Sequence, residues 1–414
     1  MMVMLPVADA TTLPGVPGGR SHSVPIRLGA VSSPAQPAGA RRSAALDGLR
    51  ALAALTVFGF HAWLYTRSTV DASAARDASL GDQIAAELRI GLVLFFVLSG
   101  FLLFRPWVAA RLGAGLAPRP ATYAAHRIGR IVPAYWLAIV GSVALLWPLE
   151  GEPGVRLPLS EDLPLFFVFG QNFSRDTIMR LDPPMWTLAV EASFYLVLPL
   201  LGWVALRVAR TRIGQSIVPI SALALGVAFN VWLAQRAPSI MLGKSLLAML
   251  PYFAIGMLAA VLVYGRTPGR RAAALLAIGG LALVLLDGWL HARAAPGTQL
   301  AHVLKSVRDL PAAVGCAAIV ALATTRPPRV LAARPLAAAG LVSYGLYLWH
   351  VPVLLWLRAH GLLPQHTWGA VLVGLPVSLA LAALSWRLVE RPAIAWCRRT
   401  HLFGANRPAT PPAT

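Results

Sequence analysis

Long apolar stretches recur along the chain and constrain its fold more than any other feature. They lie near residues 46-66, 87-108, 131-149, 185-206, 216-235, 246-264, 272-289, 309-324, 336-357 and 367-388. Each runs for roughly 17 to 24 residues, which as a helix crosses a hydrocarbon layer about 30 Å thick. Only 13% of the residues are charged and 57% are hydrophobic, which is far from the soluble average. The sequence therefore predicts an all-α, polytopic transmembrane helix bundle of about ten spans.

The positions of the positive charges orient this bundle. With the N-terminus inside, most Arg and Lys residues fall in the inner segments and most acidic residues fall outside, as the positive-inside rule requires. An even number of spans then places both termini in the cytoplasm. The same arginines account for the net charge of +20 without nucleic acid, because no basic run is interleaved with aromatic residues. We expect membrane lipids, and no nucleic acid, around the chain.

Three regions follow from composition. Residues 1-43 are rich in Pro, Gly, Ser and Ala and lack the apolar core of a signal peptide, so they are predicted to be a disordered cytoplasmic tail. Residues 44-392 form the predicted transmembrane domain, and 393-414 a short basic, Pro-rich cytoplasmic tail. The apolar segment 163-170 is too short to span and is expected in a loop or re-entrant segment.

Ionisable side chains within spans are costly and are candidates for function. In LDGLRALAALTVFGFHA, Arg50 and His61 lie about three turns apart and within about 20° of one helical face, and Asp47 shares that face. His61 lies about 16 Å further out than Arg50. A structural alternative remains, in which Arg50 reaches the lipid phosphates and His61 only packs between helices.

Two further spans carry polar groups at a similar predicted depth. Glu191 interrupts WTLAVEASFYLVLPLL, and Ser343, Tyr347 and His350 share one face of GLVSYGLYLWHVPVL. Counted from the predicted membrane surfaces, His61, Glu191 and His350 fall in one layer of the outer half of the bilayer. The sequence therefore predicts a reaction centre where these three groups converge.

Other motifs are less specific alone. Ser99 stands in LFFVLSGFLLF, where small residues are typical of close helix packing. Arg127 and Arg130 lie one turn apart in YAAHRIGRIVPAYW, a spacing that suits phosphate binding and equally suits positive-inside anchoring. Neither HExxH nor paired cysteines occur, so no metal is predicted.

Six motifs in this order resemble the integral membrane acyltransferase-3 family, whose bacterial members acylate sugars of surface polymers, lipids and antibiotics. They are LDGLRALAAL with His61, FFVLSGFLL, RIGRIVPAYW, WTLAVEASFYLVLPLL, SYGLYLWHVPV and the VERP at 389-392, and the resemblance covers about 44-392. Ala192 and Ser193 depart from the family, which often has an acidic residue and Gln there. His126 stands where another Arg is usual.

The resemblance implies transfer of an acyl group, typically acetyl, from cytoplasmic acyl-CoA to a hydroxyl of a carbohydrate, glycolipid or antibiotic acceptor. The enzyme would lie in the bacterial cytoplasmic membrane, with acyl-CoA as co-substrate and no bound cofactor. It would lack the C-terminal esterase-like domain of some relatives. The implied catalytic residues are His61, Glu191 and Arg50. The implied acyl-CoA-binding residues are Arg127, Arg130 and Ser99, and the implied substrate or supporting residues are Asp47, Trp186, Ser343, Tyr347 and His350.

Two alternatives stay open at this point. A proton-coupled transporter, or a protein that moves lipids or glycans, would also place Arg, His and Glu within spans. The other superfamily of membrane O-acyltransferases has a buried histidine in a long apolar run, but the order of the motifs argues against it.

Overall fold

A computed structural model describes residues 38–67, 79–113, 115–294 and 297–399, and no strand occurs in these ranges. The helices are α1 (Ala38–Tyr65), α2 (Leu80–Glu87), α3 (Gly91–Leu112), α4 (Pro120–Leu146), α5 (Leu163–Phe167), α6 (Trp186–Arg207), α7 (Arg212–Ala234), α8 (Ile240–Gly243), α9 (Leu246–Val263), α10 (Arg270–Arg293), α11 (Gln299–Val307), α12 (Leu310–Thr325), α13 (Arg334–Leu341), α14 (Ser343–Ala359), α15 (Thr367–Ser385) and α16 (Arg391–Arg399). A π-helical turn, Trp386–Glu390, joins the last two. The all-helical class is confirmed.

Seven helical segments of the described chain are long and apolar enough to cross a membrane, and the number rises to nine if each of two bent pairs is one span. The bent pairs are α11 with α12, at 45°, and α13 with α14, at 71°. Helix α1 has 28 residues but is not among these segments, since Arg50 and His61 lower its hydropathy. The chain is therefore polytopic, while the predicted ten spans and their orientation stay a prediction.

Two predicted boundaries differ from the structure in ways that matter for the site. Helix α4 begins at Pro120 rather than near 131, so Arg127 and Arg130 lie within the helix and not ahead of it. Proline suits the first turn of a helix and arginine is a good helix former, which explains the extension. The predicted span 336-357 is broken at Val342, and α14 starts there with Ser343.

The predicted tails and the short apolar segment can be compared only in part. Residues 1–37 and 400–414 lie outside the described residues, whereas 38–43 already belong to α1 and 391–399 form α16. Segment 163-170 contains α5, which has five residues, so it is too short to span a membrane, as predicted.

Helices α3 and α9 pack with their backbones in close approach. A Cβ on Gly100 would overlap the carbonyl oxygen of Phe253, and a Cβ on Gly256 would overlap that of Val97. Small residues at both contact points allow this approach, which gives van der Waals contact where apolar burial alone cannot favour helix association. The predicted packing role of the small residues beside Ser99 is thereby confirmed.

The buried apolar side chains form two main clusters. One lies around α3, α9 and α12 and includes Phe101 and Phe253. The other lies around α1, α4 and α14 and includes Phe58 and Tyr135. Helix α6 contributes Val190 and Phe194 to the first cluster and Leu188 to the second. Its polar residues therefore lie where the two clusters meet.

We expect Gly256→Ala to lower the free energy of unfolding by about 1–3 kcal/mol, since a backbone carbonyl cannot move aside as a flexible side chain can. Gly279→Ala on α10 is the matched control, because no atom lies within 4 Å of a Cβ there; it should be neutral or slightly stabilising. Thermal unfolding of both variants in detergent measures the difference, and equal midpoints would contradict the packing.

Candidate functional site

Two cavities lined by residues of the described ranges include most of the candidate side chains in their linings. The large cavity, of about 1030 Å³, is lined by residues that include His61, Tyr65, Trp186, Lys244 and Tyr252. The small cavity, of about 110 Å³, is lined by residues that include Arg50, Ser99, Arg127, Arg130 and Glu191. Leu92, Thr187 and Tyr347 line both. The candidate residues of the sequence are thus divided between two neighbouring spaces.

A hydrogen-bonded pair of histidines stands at the large cavity. The Nε2 atom of His350 lies 3.1 Å from Nδ1 of His61, so α14 and α1 are joined by their imidazoles. His350 is 1% exposed, whereas His61 lines the cavity. The sequence predicted that these two histidines would be neighbours, and the structure brings them into contact.

The hydrogen-bond network determines the tautomers of the neutral pair. Nδ1 of His350 lies 2.8 Å from the Tyr347 carbonyl oxygen, and a carbonyl only accepts, so this nitrogen carries the proton and Nε2 of His350 is an acceptor. Nδ1 of His61 faces that acceptor and also the Val57 carbonyl oxygen at 2.9 Å, so it too is protonated. The lone pair of His61 is then on Nε2, which suits a general base.

Glu191 lies apart from the histidines. Its Oε1 accepts hydrogen bonds from the hydroxyls of Ser99, at 2.6 Å, and Tyr195, at 2.5 Å, and it lines the small cavity. The prediction that Glu191 converges with His61 and His350 is therefore wrong. Depth along a helix axis is a poor guide here, because the Glu191 carboxylate is held by Ser99 of α3 and Tyr195 of α6 at the small cavity, whereas His61 lines the large cavity.

Three guanidinium groups surround the small cavity. Arg50 forms an ion pair with Asp47 at 2.7 Å. Arg127 and Arg130 form no ion pair within the described residues, and the Nε of Arg127 is buried with no hydrogen-bond partner. The guanidinium of Arg127 lies 6.0 Å from the Tyr195 ring. Two arginines with unused donors beside one cavity form a site suited to an anion.

A hydroxyl pair lies where the two cavities adjoin. The Thr187 and Tyr347 hydroxyl oxygens lie 2.6 Å apart, and Tyr347 also donates to the Pro184 carbonyl at 3.2 Å. Both residues line both cavities. Together with Leu92 they lie at the boundary between the cavities, and we call Thr187 and Tyr347 the constriction.

A family profile described as an acyltransferase domain matches residues 43–387, which is most of the chain and includes every candidate residue. The chain belongs to the acyltransferase-3 family. Its membership favours group transfer over the transporter alternative, and it confirms the resemblance inferred from the six motifs. No solved structure matches this acyltransferase.

Several curated proteins are similar to this acyltransferase. Peptidoglycan O-acetyltransferase OatA of Listeria monocytogenes is 24% identical over 381 residues, which cover 84% of this chain and 55% of that protein. Exopolysaccharide production protein ExoZ of Rhizobium meliloti is 27% identical over 322 residues, covering 73% and 88% respectively. O-acetyltransferase OatA of Staphylococcus aureus is 22% identical over 378 residues, covering 84% and 56%. The chain thus spans about half the length of the OatA proteins that it matches.

The remaining predicted residues of this acyltransferase lie beside the same cavities. Trp186 faces the large cavity, and its ring lies 3.9 Å from the Lys244 ammonium. Ser343 lines the small cavity, and its hydroxyl donates to the Gly340 carbonyl at 2.9 Å. Asp47 reaches the site only through Arg50.

Sequence reasoning missed several residues of the site. Thr187 and Tyr195 lie four positions before and after Glu191, so they share its helical face, and this i,i+4 spacing was a usable signal. Lys244 had no such signal, because it lies at the end of α8 and enters the large cavity only through the tertiary packing of α8 and α9.

One group of side chains in the described ranges has donor atoms close enough for a metal ion. Glu87, Asp287 and His291 bring their donor atoms within 4.8 Å of one another. Arg89 binds Glu87 at 3.1 Å and Asp309 at 2.5 Å, so it neutralises part of this charge. The sequence analysis singled out none of these residues, and the absence of a metal stays a prediction.

Asp182 closes the loop that precedes α6 and is a buried carboxyl group. It is 1% exposed, and neither carboxyl oxygen has a hydrogen-bond partner among the described residues. Burial raises the pKa of Asp182 well above the ordinary range of a carboxyl group. The protonated form is therefore favoured in the folded protein.

A raised folded-state pKa contributes stability that is complete below the unfolded pKa, about 3.9, and that is lost as pH rises through the folded value. We therefore expect Asp182→Asn to raise the unfolding midpoint at pH 8 by about 2 °C or more and to have little effect near pH 4. Thermal unfolding over this pH range measures it. Asp176→Asn changes an exposed residue of the same loop, and its unfolding midpoint should follow that of the wild type over the whole pH range. If the unfolding midpoint of Asp182→Asn falls with rising pH as steeply as that of the wild type, the assignment to Asp182 is contradicted.

Proposed function

We propose that this acyltransferase moves an acyl group, acetyl in the simplest case, from acyl-CoA to a hydroxyl of a carbohydrate-containing acceptor. The observation that carries the proposal is the His61–His350 pair, which leaves the Nε2 lone pair of His61 at a cavity of about 1030 Å³. A cavity of that size accommodates a saccharide. The relatives named for peptidoglycan O-acetylation and exopolysaccharide production support an acceptor of this class.

In the proposed reaction His61 takes the proton of the acceptor hydroxyl, and the oxygen attacks the carbonyl carbon of the thioester. The tetrahedral intermediate collapses with cleavage of the C–S bond, so the acyl group is left as an ester. The proton passes from His61 to the departing thiolate and forms the free thiol of CoA. His350 acts as a positioning residue, since its Nε2 accepts a hydrogen bond from Nδ1–H of His61. This bond helps to hold the proton on Nδ1 of His61 and the lone pair on Nε2 of His61.

The small cavity supports a binding site for the donor. Its volume of about 110 Å³ is too small for a whole CoA, so the nucleotide would stay outside, with its phosphates near Arg127 and Arg130, and only the thioester end would enter. Glu191, held by Ser99 and Tyr195, offsets part of the positive charge of the arginines. The acyl group would then reach His61 by way of the constriction, which opens if Tyr347 leaves Thr187.

The proposed orientation gives each cavity a side of the membrane. With ten spans and both termini in the cytoplasm of a bacterial cell, the small cavity faces the cytoplasmic half of the inner membrane, where acyl-CoA is found. The large cavity then faces the outer half, where surface polysaccharides or peptidoglycan precursors are accessible. Arg50 would then lie at the cytoplasmic cavity and His61 at the outer cavity.

We expect His61→Ala to abolish acyl transfer while the protein still inserts in the membrane, because the variant lacks the proposed base. A deletion strain complemented with each variant, with O-acetyl groups of surface glycans and secreted metabolites measured by mass spectrometry, provides the test. His360→Ala, which changes an exposed histidine at the end of α14, is the matched control.

His350→Gln should lower transfer by up to about tenfold, since an ordinary hydrogen bond contributes about 0.5–1.5 kcal/mol, and should shift the pH profile. Full activity of His61→Ala would overturn the proposed base, and an unchanged pH profile in His350→Gln would overturn its positioning role.

We expect Arg127→Gln combined with Arg130→Gln to raise the KM for acetyl-CoA about tenfold or more, since a hydrogen bond to a charged group contributes about 1.5–3 kcal/mol. Initial rates in proteoliposomes at several acetyl-CoA concentrations measure this. Arg270→Gln combined with Arg271→Gln removes two exposed arginines at the start of α10 and should leave KM unchanged. Equal KM values for both double variants would move the phosphate site elsewhere.

A further inference from the structure

The large cavity carries an excess of positive charge. Its cationic lining residues are Arg89, Arg156, Arg236, Lys244, Lys305 and Arg308, and its carboxylates are Glu87 and Asp309. Arg89 forms ion pairs with both carboxylates, at 3.1 Å and 2.5 Å. Both carboxylates of the lining are therefore paired with Arg89, and the other five cations of the lining have no carboxylate partner there.

None of these other cations forms an ion pair with a carboxylate in the described part of the chain. The Lys244 ammonium lies 3.9 Å from the Trp186 ring centroid, and Arg308 donates to the Gly243 carbonyl at 3.1 Å. Arg236 stacks on Trp232 at 3.9 Å. These contacts hold the cationic groups in position without neutralising them.

Membrane topology does not explain these residues. In the proposed orientation, Arg156, Lys244 and Lys305 lie on the outer side, in the segments after α4, after α7 and before α12. The positive-inside rule disfavours cations there. With Arg236 and Arg308, five cations face one cavity on this side. Their presence there requires a reason other than topology, and attraction of an anion into the cavity supplies it.

The position of Lys244 connects this charge with the proposed chemistry. Lys244, Trp186 and His61 line the same cavity. A carboxylate or phosphate bound at the Lys244 ammonium would therefore place the acceptor in the cavity that His61 lines.

We propose that the acceptor of this acyltransferase is an anionic saccharide, one that carries a carboxylate or phosphate group. This inference rests on the proposed acyl transfer and names its substrate class. Lys244, Lys305 and Arg308 would bind the anionic group, and neutral glycans of the same size would bind more weakly.

The test uses full-length protein in phosphatidylcholine nanodiscs. The probes are tetrasaccharides of hyaluronan, alginate and polygalacturonate, each as the acid and as the neutral methyl ester, with binding followed by calorimetry. At least one acid should bind about tenfold more tightly than its ester, and salt should reduce the difference. Lys244→Gln and Lys305→Gln should also reduce the difference in affinity between acid and ester, while Arg270→Gln on α10 should leave that difference unchanged. If no acid binds more tightly than its ester, the inference is overturned.

Two further arms separate the possible sources of the charge preference. Phosphatidylglycerol in the nanodisc should leave acid binding largely intact; if it abolishes that binding, the cations serve lipid headgroups and the acceptor assignment is overturned. Transfer from acetyl-CoA to each probe is followed by mass spectrometry. Equal transfer to acid and ester overturns the inference and leaves the proposed function standing. Acid-selective binding that persists in His61→Ala, with no transfer by the wild type to any probe, supports the inference and counts against the proposed function.

Discussion

The hydrogen bond between His61 and His350 joins α1 to α14 inside an apolar bundle, and the arrangement of the site depends on it. A buried imidazole needs partners for both ring nitrogens. His350 finds them in the Tyr347 carbonyl and in His61, so a single nitrogen of the pair, Nε2 of His61, is left for a substrate. An apolar side chain at position 350 would fill the same space but would leave the Val57 carbonyl as the one remaining acceptor for Nδ1–H of His61 among these contacts.

Tyr347 links this pair to the constriction. Its carbonyl oxygen accepts from His350, and its hydroxyl pairs with Thr187 at 2.6 Å. A rotation of the side chain that opens the path between the cavities can leave the carbonyl in place, because backbone and side chain move separately. In the proposed reaction, the acyl group could therefore pass without disturbing the base.

The charges of the site are arranged in two groups at either side of that constriction. Arg127 and Arg130 lie at the small cavity with Glu191 near them, and Lys244 and Arg308 lie at the large one. In the proposed reaction, these two cationic spaces would receive the anionic donor and the anionic acceptor. Helix α3, whose residues line both cavities, approaches α9 closely at Gly100 and Gly256.

Much of this could be predicted from the sequence, and the errors have physical causes. Helical periodicity was sufficient to place Asp47 with Arg50 and to put Ser343, Tyr347 and His350 on one face. It failed for Glu191, because two residues at one depth on different helices meet only if both helices turn them toward each other. It also failed at Val342, since no proline or glycine at that position signals the 71° break.

The sequence by itself determined the helical class, the membrane setting, the family and the identity of the polar side chains, because hydropathy and local spacing are properties of single segments. Only the tertiary structure decided which of those side chains meet. The division into two cavities, the pairing of His61 with His350 and the grouping of Glu191 with Ser99 all depend on the rotation of each helix about its axis. That rotation is set by the packing of side chains from distant parts of the chain, which no single segment encodes.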